Sequence, residues 1–151
     1  MLKLKSVRYG YNDAGVVCGT DLSSYNVELM LIDSEGRSSF VIVNQAQNGD
    51  TILICDLSVF DILMNTISYG DESDKVESVT KYNFDYEYEY DPETDKPIIT
   101  EAMYEGIPDE YRAAVAFARK ILFMFEESFE NEELLGNIDD LIKANIDKEL
   151  K

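Results

Sequence analysis

The spacing of apolar residues changes along this chain, and the change constrains the fold class. Up to residue 56 the apolar residues form short runs rich in Val, Ile and Tyr, which are typical of β-strands. After Gly106 they recur every three or four residues, which is typical of amphipathic helices. The sequence therefore predicts an α+β fold with strands first and the main helices last.

Turn residues separate the strand-like runs of the first half. Residues 12–15, 33–36 and 48–49 each combine Asn or Asp with Gly, as tight turns do. We therefore expect an antiparallel meander over residues 1–56, with strands near residues 2–8, 25–32, 40–43 and 52–55 and a short additional strand at 16–18. Residues 40–43 are apolar without alternation, which predicts a central strand covered on both faces.

Three helices are predicted, with a capping residue at the start of each. Ser58 is the expected N-cap of a short helix over residues 59–67, within a segment 58–68. Asp109 is expected to cap a long helix that ends near residue 130, and Asn131 to cap a last helix that ends near residue 147. The apolar stripe of the long helix comprises Tyr111, Val115, Ala118, Leu122, Phe125 and Phe129, widened by Phe117, Ile121 and Met124. The stripe of the last helix comprises Leu134, Ile138, Leu141 and Ile142.

The whole chain is expected to form one domain, because no repeat, Gly/Ser linker or low-complexity tract divides it. A chain of 151 residues is also near the commonest domain size. The predicted architecture is a twisted antiparallel sheet of five to seven strands with the helices largely on one face. Between the meander and the long helix we expect a short helix, an acidic loop at 69–80 and an acidic, Tyr-rich hairpin at 81–105.

The negative charge is concentrated in one segment. The chain has 31 Asp and Glu against 13 Lys and Arg, a net charge of −18. Residues 71–110 hold 14 of the acidic side chains and only 3 Lys, so this segment alone carries −11. A concentrated negative field attracts basic surfaces and repels nucleic acid and anionic membranes. We therefore expect a basic protein as partner, without direct contact to nucleic acid or membrane.

Within this segment, aromatic and acidic residues alternate at the period of a β-strand. Tyr82, Phe84, Tyr86, Tyr88 and Tyr90 occupy one face, and the opposite face carries Asp85, Glu87, Glu89 and Asp91. Residues 91–96 predict a turn that extends the acidic row with Glu93 and Asp95, followed by a return strand at 97–104. Its register is not determined, because both of its faces are mixed. Side chains two apart on a strand lie ~6.6–6.8 Å apart, close to two phosphate steps of ~3.4 Å along a DNA strand.

Enzyme chemistry has few candidates here. The sequence contains no histidine, which removes Ser-His and Cys-His nucleophile pairs and the commonest metal ligand. Carboxylate-only hydrolysis stays open, but spacing selects no pair of acids from so many. Gly10, Gly15 and Gly19 lack the Gly-Lys-Ser/Thr of a phosphate-binding loop. We expect neither a catalytic site nor a cofactor.

A calcium loop is suggested in part by Asp91, Glu93 and Asp95, which stand at positions 1, 3 and 5 of such a loop. The remaining pattern fails, because position 6 is Lys96 instead of Gly and position 12 is Ala102 instead of Glu. We interpret these residues as a solvated hairpin tip and expect no metal site. Asp71, Glu72 and Asp74 are likewise interpreted as loop residues that add to the acidic surface.

Phe123 has two interpretations. Counted at 100° per residue, it falls on the polar side of the long helix, among residues such as Arg112, Arg119 and Glu126. It is either an exposed anchor for a partner or a residue that the last helix covers.

The compartment is predicted from Cys usage and apolar runs. Cys18 and Cys55 lack CxxC spacing and are expected to be reduced core residues. Residues 1–8 alternate Leu with Lys, unlike a signal peptide, and no apolar run approaches the ~18 residues that span a bilayer. We expect a cytoplasmic protein. The oligomeric state does not follow from the sequence.

Together these features favour an inhibitor that binds the basic surface of a nucleic-acid-handling protein. Immunity proteins against nuclease toxins work in this way, as do phage anti-defence proteins that mimic DNA, including those directed against CRISPR effectors. The predicted contact residues are Asp85, Glu87, Glu89, Asp91, Glu93, Asp95, Asp71, Glu72, Asp74 and Phe123. The alternatives are a non-inhibitory adaptor or subunit, and a small-molecule binder or carboxylate-only hydrolase.

The acidic segment predicts a salt-dependent stability. Because its −11 is self-repelling, the melting temperature should rise between about 10 and 150 mM NaCl, as the Debye length shortens from ~30 to ~8 Å. Differential scanning calorimetry measures this directly. Calcium chloride at equal ionic strength is the control, and a much larger rise with calcium would show that the Asp91 loop binds the ion.

Overall fold

The computed structural model of the chain describes residues 1–12, 16–17, 20–21, 24–46, 49–61, 80–84, 92–93 and 106–150. Within these ranges the fold is α+β, as predicted. An antiparallel sheet comes first along the chain, and two helices follow it at the C-terminal end.

Seven strands occur among the described residues: β1 Lys3–Asn12, β2 Val16–Val17, β3 Thr20–Asp21, β4 Ser24–Ile32, β5 Ser38–Ala46, β6 Gly49–Asp56 and β7 Thr80–Phe84. The main sheet has the order β1-β4-β5-β6-β7, and each neighbouring pair is antiparallel. The four principal strands of the predicted meander are therefore confirmed, each longer than its apolar run. The short strand predicted at 16–18 is present as β2, but it pairs with β3 instead of the main sheet. The predicted number of strands in the complete sheet, five to seven, is not confirmed. The predicted return strand at 97–104 lies outside the described residues, so the full sheet cannot be counted.

Strand β5 is buried on both of its faces. Phe40, Val41, Ile42 and Val43 are each at most 7% exposed, and β5 lies between β4 and β6 in the sheet. The unbroken apolar run thus marks the central strand, as the sequence predicts.

The main core lies between the sheet and two helices, α2 Asp109–Ser128 and α3 Glu133–Asn145. The α2 stripe of the sequence is confirmed in part: Phe129 is 61% exposed, whereas Val115, Ala118, Ile121 and Leu122 are fully buried. They pack with side chains of β4, β5 and β6 that alternate towards the same face, namely Val27, Leu29, Leu31, Val41, Val43, Ile52 and Ile54. Helix α3 contributes the buried Ile138 and the half-buried Leu141 and Ile142.

A smaller core lies on the opposite face of the sheet. A helix, α1, begins at Leu57 and is described over residues 57–61. Its Val59 and Phe60 pack with Phe40 and Cys55, and the Phe40 and Phe60 rings stack with centroids 3.9 Å apart. The expectation that the helices share one face holds for α2 and α3 but not for α1.

The buried Cys55 is a free thiol in this smaller core, as predicted for a core residue. Burial, together with the nearby charges of Asp56 and Glu28, raises its pKa to about 11. Cys18 lies outside the described residues.

The predicted caps of α1 and α2 are wrong in detail. Asp56, not Ser58, caps α1: its Oδ1 accepts the backbone N–H of Val59 at 3.1 Å and the hydroxyl of Ser58 at 2.6 Å. These bonds lower the pKa of Asp56, the Ser58 hydroxyl first. Asp109 is the first helical residue of α2 and forms no cap; the preceding Pro108 occupies the cap position. Proline fixes its own φ and supplies no side-chain acceptor, so Asp109 is displaced into the first turn.

The predicted Asn131 cap is displaced by one residue, because Glu132 occupies the cap position of α3 and makes no side-chain cap hydrogen bond. Asn131 Oδ1 accepts the backbone N–H of Glu133 at 3.1 Å, and its carbonyl accepts the N–H of Leu134 at 3.1 Å. The side chain therefore satisfies a helix-terminal donor, as the sequence indicates.

The residues after α3 pair with the outer edge of β1. Leu4 N–H donates to the Lys148 carbonyl at 3.0 Å, and Asp147 N–H donates to the Leu4 carbonyl at 2.7 Å. Lys5 Nζ also lies 2.7 Å from Asp147 Oδ1. These contacts cover part of an edge strand that otherwise presents unpaired backbone groups.

The turn between β4 and β5 is organised by Asp33. Its carboxylate accepts the N–H groups of Glu35 and Arg37, both at 2.9 Å, and Arg37 Nε at 2.8 Å. Gly36 has a φ of 83°, which favours glycine. The bond from the Arg37 backbone, followed by those from its side chain and from Glu35, lowers the pKa of Asp33. The predicted turn at 33–36 is thus confirmed.

No helix in the described part of the chain is long and apolar enough to cross a bilayer.

Ile121 tests the main core. Its side chain is fully buried, so Ile121→Ala should destabilise the protein by ~2–5 kcal/mol, from lost apolar burial and the cavity left behind. Chemical denaturation measures the change. The control is Leu135→Ala in α3, because Leu135 is 38% exposed; it should cost less than about 1 kcal/mol. Equal losses in the two variants would contradict the proposed packing of α2.

Asp33 predicts a pH-dependent contribution to stability. Because its pKa is lowered in the folded protein, the contribution is present above the unfolded value of ~3.9 and is lost as the pH falls through the folded pKa. Asp33→Ala should therefore lower the melting temperature at pH 7, with a difference that shrinks below about pH 4. Glu35→Ala, in the same turn, is the control and should change little. A difference that persists unchanged at pH 2 would show that the Asp33 charge is not responsible.

Candidate functional site

The first residues of the Tyr-rich segment form β7, which is an outer strand of the described sheet. Strand β7 pairs with β6 so that Phe84 lies opposite Asp50 and Thr80 opposite Ile54. The strand begins at Thr80, one residue before the predicted hairpin, and is confirmed as far as Phe84. Asp85, Glu87 and Glu89 follow it in the chain and lie outside the described residues.

The other predicted acidic contacts fall mostly outside the described residues as well. Asp71, Glu72, Asp74, Asp91 and Asp95 belong to this group. Pro92 and Glu93 are described and form an exposed turn, at the place where the sequence predicts the hairpin tip.

Phe123 packs within the protein. Its side chain is half-buried and contacts the main core, and the Arg119 guanidinium carbon lies 5.9 Å from the centroid of its ring. These contacts favour the interpretation in which Phe123 is a packing residue.

Five aromatic side chains form a continuous patch where β1 ends and β4 begins. We call Tyr9, Tyr11, Tyr25, Phe125 and Phe129 the aromatic patch. Strand β1 places Tyr9 and Tyr11 two residues apart on one face, and Tyr25 of β4 lies directly opposite Tyr11. Phe125 lies in the last turns of α2 and Phe129 is its C-cap, so the two rings are four residues apart and share a face.

The rings of the aromatic patch are in mutual contact. Phe125 lies 5.2 Å from Tyr9 and 5.9 Å from Tyr25, measured between ring centroids. Phe129 lies 5.3 Å from Phe125, 5.7 Å from Tyr25 and 6.1 Å from Tyr11. All five of these pairs are edge-to-face, which is a favourable arrangement for aromatic quadrupoles.

The outer part of the aromatic patch faces solvent. Phe129 is 61% exposed and Tyr11 45% exposed, and both are among the most exposed large apolar side chains in the described part of the chain. Phe125, Tyr9 and Tyr25 are half-buried and connect the exposed rings to the main core. The aromatic patch therefore has three rings that pack on the main core and two that are exposed to solvent.

Two carboxylates, those of Asp139 and Glu126, lie near the aromatic patch. Tyr9 donates its hydroxyl to Asp139 Oδ1 at 3.1 Å, and burial, followed by this bond, raises the pKa of Tyr9. Burial also raises the pKa of Tyr25, with a further contribution from the Glu126 charge. Between Lys120 and Lys143 the sequence has no Lys or Arg and seven acidic residues, namely Glu126, Glu127, Glu130, Glu132, Glu133, Asp139 and Asp140. Phe125 and Phe129 thus lie in a second acidic interval of the sequence.

Sequence reasoning missed this surface for two reasons. Phe125 and Phe129 extend the buried stripe of α2 and were therefore assigned to the core. In addition, the net charge of residues 111–151 is only −3, because the basic residues lie at both ends of the region and conceal the acidic interval. A count restricted to the interval between Lys120 and Lys143 would have revealed it.

Comparison with known proteins gives no assignment, because no family model, curated protein or solved structure matches the chain.

Proposed function

We propose that the protein is a small acidic inhibitor that binds the basic surface of a nucleic-acid-handling protein. The observation that carries the proposal is the charge of −11 within residues 71–110, out of −18 for the chain. Its acidic row follows β7 in the chain. The alternation predicts carboxylates at every second residue, which a basic partner could read as a linear array of charges.

Competition with nucleic acid follows from the same charges. A protein that binds DNA or RNA does so largely through Lys and Arg, which neutralise phosphates. Carboxylates spaced along a strand offer those side chains an alternative set of anions at comparable intervals. A partner occupied in this way loses nucleic-acid binding, which is the basis of the proposed inhibition.

The two specific forms of the proposal are an immunity protein against a nuclease toxin and a phage anti-defence protein that mimics DNA. Both act in the cytoplasm and need no catalytic residue. A non-inhibitory adaptor would use the same charges but leave the partner's nucleic-acid binding intact. Nuclease or DNA-binding assays on proteins encoded by adjoining genes distinguish inhibition from docking.

The acidic row is tested by replacing Asp85, Glu87 and Glu89 together with Ser. We expect the variant to fold, to melt at the same or a higher temperature, and to bind the partner with a slower association rate that has lost much of its salt dependence. Surface plasmon resonance at 50 and 150 mM NaCl measures the association rate and its salt dependence. Circular dichroism checks the fold and the melting temperature.

The matched control removes the same charge from a different place. Glu35, Asp61 and Asp140 are all exposed, and their joint replacement by Ser should leave most of the salt dependence intact. If both triple variants lose the same amount of association rate and salt dependence, only the net charge of the protein matters and the acidic row is not the contact. Tyr86→Ala and Tyr88→Ala form a further comparison, because the alternation places them on the inner face; each should cost roughly 3–5 kcal/mol of stability.

A further inference from the structure

We draw no further inference here: the strongest candidate, the aromatic patch, which exposes Tyr11 and Phe129 where β1 and α2 end and β4 begins, carries no proposal because the Asp139 carboxylate beside it is already bonded to Tyr9 and nothing in the described part of the structure shows what covers the exposed rings.

Discussion

The fold depends on the burial of β5 between helices on the two faces of the sheet. On one face Val41 and Val43 lie under α2, and on the other Phe40 packs beneath α1 with Cys55 and Val59. Alternate side chains of β5 therefore belong to two separate cores. The strand is buried on both faces only when α2 and α1 are both packed against the sheet. This explains why the run from Phe40 to Val43 lacks alternation, and why the sheet needs helices on both faces. The predicted arrangement with the helices on one face would have left Phe40 in water.

The charge of the chain works against this core. A net charge of −18 repels itself in the compact state, so the apolar packing must offset that repulsion as well as the conformational entropy of folding. The fully buried residues of the sheet and helices are almost all aliphatic, and they lie where the two layers meet. The acidic residues that would repel most strongly are grouped in sequence away from these positions. Such a separation lets the charges remain available to a partner without entering the core.

The periodicity of apolar residues predicted the strands and helices well because it reports burial directly. Predictions of helix caps from single residues failed where two neighbouring residues could both occupy the cap position. The strands and the α2 stripe follow from which side chains are apolar, and burial is what decides them. Asp56 and Ser58 are both good caps, and the structure uses the one that ends β6. Asp109 follows a proline that already occupies the cap position. Phe129 has the right spacing for the core and shares a face with Phe125, but at the C-terminal end of α2 it lies beyond the main core and is 61% exposed. The aromatic patch depends on pairing between β1, β4 and α2, which periodicity within one segment does not reveal.

Phe129 shows that the two ends of the α2 stripe differ in burial. From Val115 to Leu122 the stripe of α2 contributes buried apolar side chains to stability, but at Phe129 more than half of the side chain remains in water. That exposed surface contributes little to folding, and the carboxylates nearby do not favour it. The ring nevertheless packs against Phe125 and Tyr25, so the stripe of α2 changes along the helix from a buried core surface to a largely exposed aromatic one.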